Sequence, residues 1–202
     1  MKTIYLIRHG LPEFPNGEAL CMGKQYDFPL SAEGRRQAEA MAEKLAALPV
    51  EAVYTSPALR CLQTAQPLAE RLALEPVVME SLCELYGGLW EGMTRREIHE
   101  KYPRHFLPGS HMTPPGGESD QEGWQRGRGA LKQMLQQIRD ACACVTHSSL
   151  IKVIVCAANQ MPFGEKRSIQ VEHGEIVPLV WDGSSFACPT KAAVGKATHP
   201  SA

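Results

Sequence analysis

Two histidines, two arginines and one glutamate carry the chemistry that can be read directly from this chain. "IYLIRHG" (4–10) is an apolar run that stops at Arg8, His9 and Gly10, and "ACACVTH" (141–147) stops in the same way at His147. Arg60 lies a few residues past a third such run, "EAVYT" (51–55), and Glu84 a few residues past a fourth, "EPVVME" (75–80). Taken singly, each has an ordinary explanation. An arginine at a helix start pairs with a surface acid, a histidine at a strand end is a hydrogen-bonded structural residue, and Glu84 is a solvated loop carboxylate. Their recurrence at equivalent points of four elements asks for a common purpose. Two fixed guanidiniums disfavour a metal cation despite the His/His/Glu ligand types, and they match the oxygens of a phosphate, to which they offer forked donors that never lose their protons. A neutral imidazole whose other nitrogen is tied to an acceptor is a nucleophile for phosphorus, and its attack leaves a phosphoramidate. The other histidine, as imidazolium, and the two arginines would stabilise charge on the equatorial oxygens. Glu84 would protonate the leaving alkoxide and then take a proton from water. The residue types do not say which histidine attacks, and the scheme requires neither a metal nor an organic cofactor.

The elements that must position these groups follow from periodicity. The four runs, with "EIVPLVW" (175–181) as a fifth, read as strands, and Pro178 suggests an edge position for the last. "LSAEGRRQAEAMAEKLAAL" (30–48) reads as a helix capped by Ser31, with Ala38, Met41, Leu45 and Leu48 on its apolar face. Ser56 as N-cap and Pro57 as first residue would open a helix that Pro67 kinks or divides. Helices near 94–101 and 119–139 each begin with a capping-box pattern, Thr94 with Glu97 and Ser119 with Glu122, and another follows the fourth strand. Strands alternating with helices predict an α/β three-layer sandwich, a mostly parallel central sheet with helices on both faces. Such a sheet binds ligands outside the carboxyl ends of its strands, where the five residues fall. One domain over 1–186 is expected. Segments 11–29 and 82–118, rich in Pro, Gly and aromatic residues, would roof the site, and a loose tail would follow over 187–202.

The totals narrow the partners. The chain has 202 residues, 44% of them hydrophobic, and a formal net charge of −1. That is enough for a full core and gives no electrostatic reason to expect nucleic acid or an anionic membrane. The first apolar stretch ends at Arg8, too early for a signal peptide, and no run approaches the ~20 residues of a membrane span. Seven cysteines without a CxxC pattern point to reduced thiols and a cytoplasmic location, with Cys142 and Cys144 on one side of their strand.

At this point the ordered motifs resemble those of the histidine phosphatase superfamily, also called phosphoglycerate mutase-like. They are "LIRHG" (6–10), "DFPLSAEGRRQA" (27–38), "VYTSPALRCLQTA" (53–65), "CELYGGLWEG" (83–92), "PPGGES" (114–119) and "VTHSSLIK" (145–152). The resemblance spans roughly residues 3 to 183. It implies that His9 is the phosphorylated nucleophile and His147 the second pocket histidine, that Arg8, Arg60, His9 and His147 bind the phosphate, and that Glu84 donates and accepts the proton. Leu11-Pro12 replaces the Glu or Gln followed by Ser or Thr that often comes after "RHG", and Asn16 is displaced by about one residue from the family's usual Asn. "THSS" replaces the commoner His-Gly. The stretch "LYGGLWEGMTRREIHEKYP" resembles the phosphatase branch, including the phosphatases of α-ribazole phosphate, more than the mutases. Tyr86, Trp90 and Tyr102 give the roof apolar character, which suits a substrate bulkier than glycerate or simply packs the roof on the domain. The expected function is therefore a metal-independent phosphomonoester hydrolase acting through phosphohistidine on a small phosphorylated metabolite. A phosphoglycerate mutase and a non-catalytic phospholigand-binding module are the alternatives. The expected partner is a small phosphate ester, and relatives of this kind are often homodimers.

Overall fold

At the centre of the computed structural model, which describes residues 1–106 and 113–189, is β1 (Lys2–Arg8). It pairs in parallel with β4 (Ala141–Thr146) on one side and antiparallel with β5 (Ile176–Trp181) on the other. Outward from β4 lie β2 (Val50–Thr55) and the short β3 (Val77–Val78), both parallel, and β6 (Phe186–Ala187) closes the other side antiparallel to β5. The order is β3-β2-β4-β1-β5-β6.

Period-two alternation divides the interior into two cores. Ile4, Leu6, Cys142 and Cys144 face α4 (Asp120–Gln137) and α5 (Ser148–Ala158), through Leu131, Met134, Ile151 and Ile154. Ile7, Ala143 and Val145 face α1 (Ala32–Ala46) and α2 (Leu59–Leu72), through Met41, Leu45, Cys61 and Leu68. The result is the three-layer α/β architecture expected from the alternating elements. Ser31 caps α1 by accepting from the Gly34 amide at 3.0 Å, and complete capping boxes open α3 (Arg95–Lys101) and α4. All seven cysteines are free. Among the described residues no helix is long and apolar enough to cross a membrane.

Several local expectations are corrected. Ser56 does not cap α2: the cap position is Ala58, and the Leu59 amide donates instead to Asp27 Oδ2 at 2.5 Å. Pro67 neither divides nor ends α2, which runs unbroken to Leu72. The ring removes one amide donor, but Ala65, Leu68 and Ala69 around it are buried, and their packing holds the turn in place. Leu48 lies beyond the end of α1 and is exposed. β5 is not the edge strand, yet β6 covers it only at Val180 and Trp181, so Pro178 needs no donor on that side. The strand expected over 75–80 shrinks to Val77–Val78, because Glu80–Leu82 turns into a 3-10 helix that carries the chain over the sheet edge. Ala187 pairs with Val180 and Cys188 is buried, so ordered structure runs past residue 186, and residues 190–202 fall outside the described ones.

Leu6 is fully buried at the centre of the sheet. Leu6→Ala should lower unfolding free energy by about 2–5 kcal/mol, read from urea denaturation midpoints, through lost transfer energy and the remaining cavity.

Candidate active site

Strand register brings the two histidines together. Arg8 lies opposite Thr146 in the β1–β4 pairing, so His9 and His147 are each one residue past a matched pair of ends. Their ring centroids are 5.2 Å apart, and the His9 amide donates to the Thr146 carbonyl at 3.0 Å. The segment bearing His9 is pinned against α1. A Cβ on Gly10 would come within 2.5 Å of the Gly34 carbonyl oxygen, and one on Gly34 within 2.2 Å of the Leu11 carbonyl oxygen. Only two glycines permit this approach. The Gly10 amide also donates to Thr64 Oγ1 at 2.9 Å, whose hydroxyl is held by the Arg60 carbonyl at 2.7 Å.

That anchoring determines the state of His9. Its Nδ1 lies 2.8 Å from the Gly10 carbonyl oxygen, an acceptor only, so Nδ1 carries the proton and donates. Nε2 keeps its lone pair and has no hydrogen-bond partner among the described residues. Burial, and then the charges of Arg60 and Arg8, hold the ring neutral, well below the ordinary imidazole range, against the opposing pull of the Gly10 carbonyl. His147 is neutral for related reasons: burial, then His9 and Arg60. Because a guanidinium only donates, His147 Nδ1 accepts from Arg60 Nη2 at 3.2 Å, and Nε2–H donates to Ser56 Oγ at 2.9 Å. In the unliganded site His147 is a neutral ring that relays Arg60 to Ser56.

Arg60 is 1% exposed and is held by Asp27 Oδ1 at 2.9 Å and by the carbonyls of Tyr26 and Gly23. Arg8 donates to the Val171 carbonyl at 2.7 Å and to His173 Nε2 at 2.9 Å. His173 in turn donates from Nδ1 to the His9 carbonyl at 3.0 Å, its neutral form favoured by burial and by Arg8, which push its pKa down to about 4. Glu84 accepts from the amides of Leu85 at 2.9 Å and Ser149 at 3.2 Å. Its segment is braced by Arg126, which donates to the carbonyls of Ser81 and Cys83 and forms a two-pronged pair with Glu118 at 2.8 and 2.9 Å.

Arg8, His9, Arg60 and Glu84 line one cavity of about 400 Å³, roofed by residues from both expected insertions, Phe14, Met22, Tyr86 and Trp90 among them. His147 lies behind His9 and lines an adjoining cavity with Arg60 and Glu84. Tyr102 is not on the main cavity; its ring is tilted by 50° against Trp90, with centroids 6.2 Å apart. Asn16 belongs to a 3-10 turn with φ 57° and does not line the cavity. Among the described residues the buried side-chain donors without a partner are Arg8 Nε, Arg60 Nε and Trp90 Nε1, and all three residues line this cavity.

His173 and Asp27 did not emerge from the sequence. His173 precedes an antiparallel strand, so it reaches the shared edge at the start of β5, where a search of strand ends does not look. The signal available for Asp27 was its place in "DFPLSAEG", ahead of the Ser31 cap.

A parallel-centred α/β sheet holding a tautomer-locked imidazole between the buried Arg60 and the half-buried Arg8 defines a phosphoryl-handling domain. The chain belongs to the histidine phosphatase superfamily, branch 1, whose family model matches residues 4–192. It is 29% identical over 163 residues to phosphoserine phosphatase 1 of Hydrogenobacter thermophilus, covering 78% of this chain and 76% of that one. The structure of YhfR from Bacillus stearothermophilus superposes with a TM-score of 0.85 at 29% identity, over 95% of this chain and 97% of the other. The α-ribazole phosphatase of Shigella flexneri shares the fold, with a TM-score of 0.76 at 20% identity over 92% and 94% of the two chains.

The three neutral rings tie stability to pH. Below 6.5, the ordinary imidazole value, the unfolded chain takes up protons that the folded chain refuses. Their contribution is complete above that value and is lost as pH falls towards the lowered folded values. Urea midpoints should therefore drop between about pH 6.5 and about pH 5, above the carboxylate range, and the drop should be shallower in His173→Gln.

Proposed function

We propose that this protein hydrolyses small phosphate monoesters through a phosphohistidine formed on His9, without a metal ion. The observation that carries the reading is the convergence on one cavity of His9, whose Nε2 is unprotonated, with Arg8 and Arg60, each of which keeps an Nε donor without a partner. An anion bound there would satisfy both guanidiniums and place its phosphorus against the imidazole.

Attack by Nε2 forms the N–P bond as the ester P–O bond breaks. Charge on the equatorial oxygens is met by Arg8 and Arg60, and the arriving phosphate favours protonation of the otherwise neutral His147. Glu84, held by the Leu85 and Ser149 amides on the wall of the same cavity, protonates the leaving alkoxide. It then removes a proton from the water that cleaves the N–P bond, which returns His9 to its starting tautomer and releases phosphate. The Gly10 carbonyl supports the developing positive charge on the ring by accepting from Nδ1 throughout. We read the compartment as the cytoplasm, in keeping with seven free thiols. The family resemblance leaves room for a homodimer.

Turnover of p-nitrophenyl phosphate in the presence of a chelator is expected for the wild type, together with an acid-labile phosphoenzyme. His9→Ala should abolish both, and activity that survives this change would reject the nucleophile assignment. Glu84→Ala should reduce kcat about 10²–10⁴-fold on an alkyl phosphate with a poor leaving group, and less on p-nitrophenyl phosphate. A panel of metabolite esters that includes α-ribazole phosphate, phosphoserine and phosphoglycerates, assayed for free phosphate, would find the substrate. Isomer formation in place of phosphate release would make the enzyme a mutase.

A further inference from the structure

Beside the cavity that holds His9 lies a second one of about 470 Å³. The two share Trp90, Ser149 and Lys166 as walls, so they are neighbouring chambers of one depression. Cationic side chains from three elements line the second chamber: Arg95 from the start of α3, Lys152 from α5, and Lys166 with Arg167 from the 3-10 helix at Phe163–Ser168. Among the described residues no carboxylate lines it. Lys166 is neutralised by an ion pair with Asp120 on the wall of the first chamber. Arg95, Lys152 and Arg167 have no ion pair or hydrogen bond from their side chains among the described residues. This concentration of positive charge occurs in a chain whose formal net charge is −1.

Like charges drawn together without counter-ions raise the free energy of the folded protein unless an anion is bound there. Lys152 feels this most. Half-buried on α5, it is made easier to deprotonate by burial first and then by the neighbouring positive charges of Arg8, Lys166 and Arg95, against the pull of Glu84. A second observation points to a ligand crossing between the chambers. Trp90 is 6% exposed, lies on the wall common to both, and has an indole N–H that is buried without an acceptor. A buried donor left unpaired costs free energy that a bound acceptor recovers.

We propose that the second chamber binds an additional anionic group of the substrate, a phosphate in preference to a carboxylate, while the ester phosphate to be cleaved occupies the His9 chamber. The inference rests on the proposed hydrolase reading and narrows its substrate class to esters charged at both ends, with the linking atoms passing Trp90. Preference for phosphate follows from the number of unpaired cations, which a dianion matches better than a single carboxylate.

The test compares alkanediol bisphosphates of increasing chain length with the monophosphates of the same diols, using p-nitrophenyl phosphate as a probe of the His9 chamber alone. At an optimal length the bisphosphate should exceed its monophosphate in kcat/KM by about tenfold or more, mainly through KM. The triple substitution Arg95→Gln, Lys152→Gln and Arg167→Gln should remove that preference and leave p-nitrophenyl phosphate hydrolysis unchanged. A wild type that hydrolyses p-nitrophenyl phosphate and shows no preference for the second phosphate at any length would overturn the inference and leave the hydrolase reading intact. Equal loss on both kinds of substrate in the triple variant would also overturn it. A wild type inactive on p-nitrophenyl phosphate would instead remove the hydrolase reading on which the inference stands.

Discussion

The proposed chemistry depends on one hydrogen bond, from His9 Nδ1 to the carbonyl of the next residue, Gly10. A histidine exchanges tautomers freely in water, and only one of them presents Nε2 as a lone pair towards the cavity. The bond selects that tautomer only while the Gly10 carbonyl stays in place. The contacts of Gly10 with Gly34 and of its amide with Thr64 keep it there. Sheet register, the α1 cap at Ser31 and the Arg60–Thr64 turn of α2 thus converge on the orientation of a single peptide group.

Around that ring the electrostatics are unusual in kind. Burial is the first cause that keeps His9, His147 and His173 neutral, and the positive charges of buried Arg60 and half-buried Arg8 add to the effect. The guanidiniums are tolerated because acceptors meet part of their donor set: the Val171 carbonyl and His173 for Arg8, and the carbonyls of Tyr26 and Gly23 with Asp27 and His147 for Arg60. Local satisfaction stops short of completion, at Arg8 Nε and Arg60 Nε. Unpaired buried donors are uncommon in folded proteins, and these two belong to residues that line the cavity beside His9.

How far the sequence disclosed this arrangement depends on which signals are local. Strands β1, β2 and β4 were legible because their apolar runs are short and sharply ended, and α1, α3 and α4 because caps and period agree at Ser31, Thr94 and Ser119. The residues at those strand ends, Arg8, His9, Arg60 and His147, followed from the parallel-sheet rule. What stayed hidden depends on tertiary contacts. Ser56 looks like a helix cap in isolation, yet its hydroxyl accepts from His147, 91 residues away, while Asp27 takes over the capping. Pro67 looks like a breaker until buried neighbours hold its turn. The brace between Arg126 and Glu118 that fixes the Glu84 segment joins helix and loop with no periodic signature. β6 is two residues long and pairs only where β5 is otherwise uncovered, too little to be seen from pattern.

The bond between His173 and the His9 carbonyl spans 164 residues, most of the chain. A ribosome adding ~5–20 residues per second needs roughly ten to thirty seconds to cover that distance. For most of that interval, until β4 is completed at Thr146, the central strand is made but neither neighbour is, and Ile4, Leu6 and Ile7 have no sheet to join. The nascent polypeptide is therefore most vulnerable to mispairing early in translation, and a competent centre arises only once the last strands emerge.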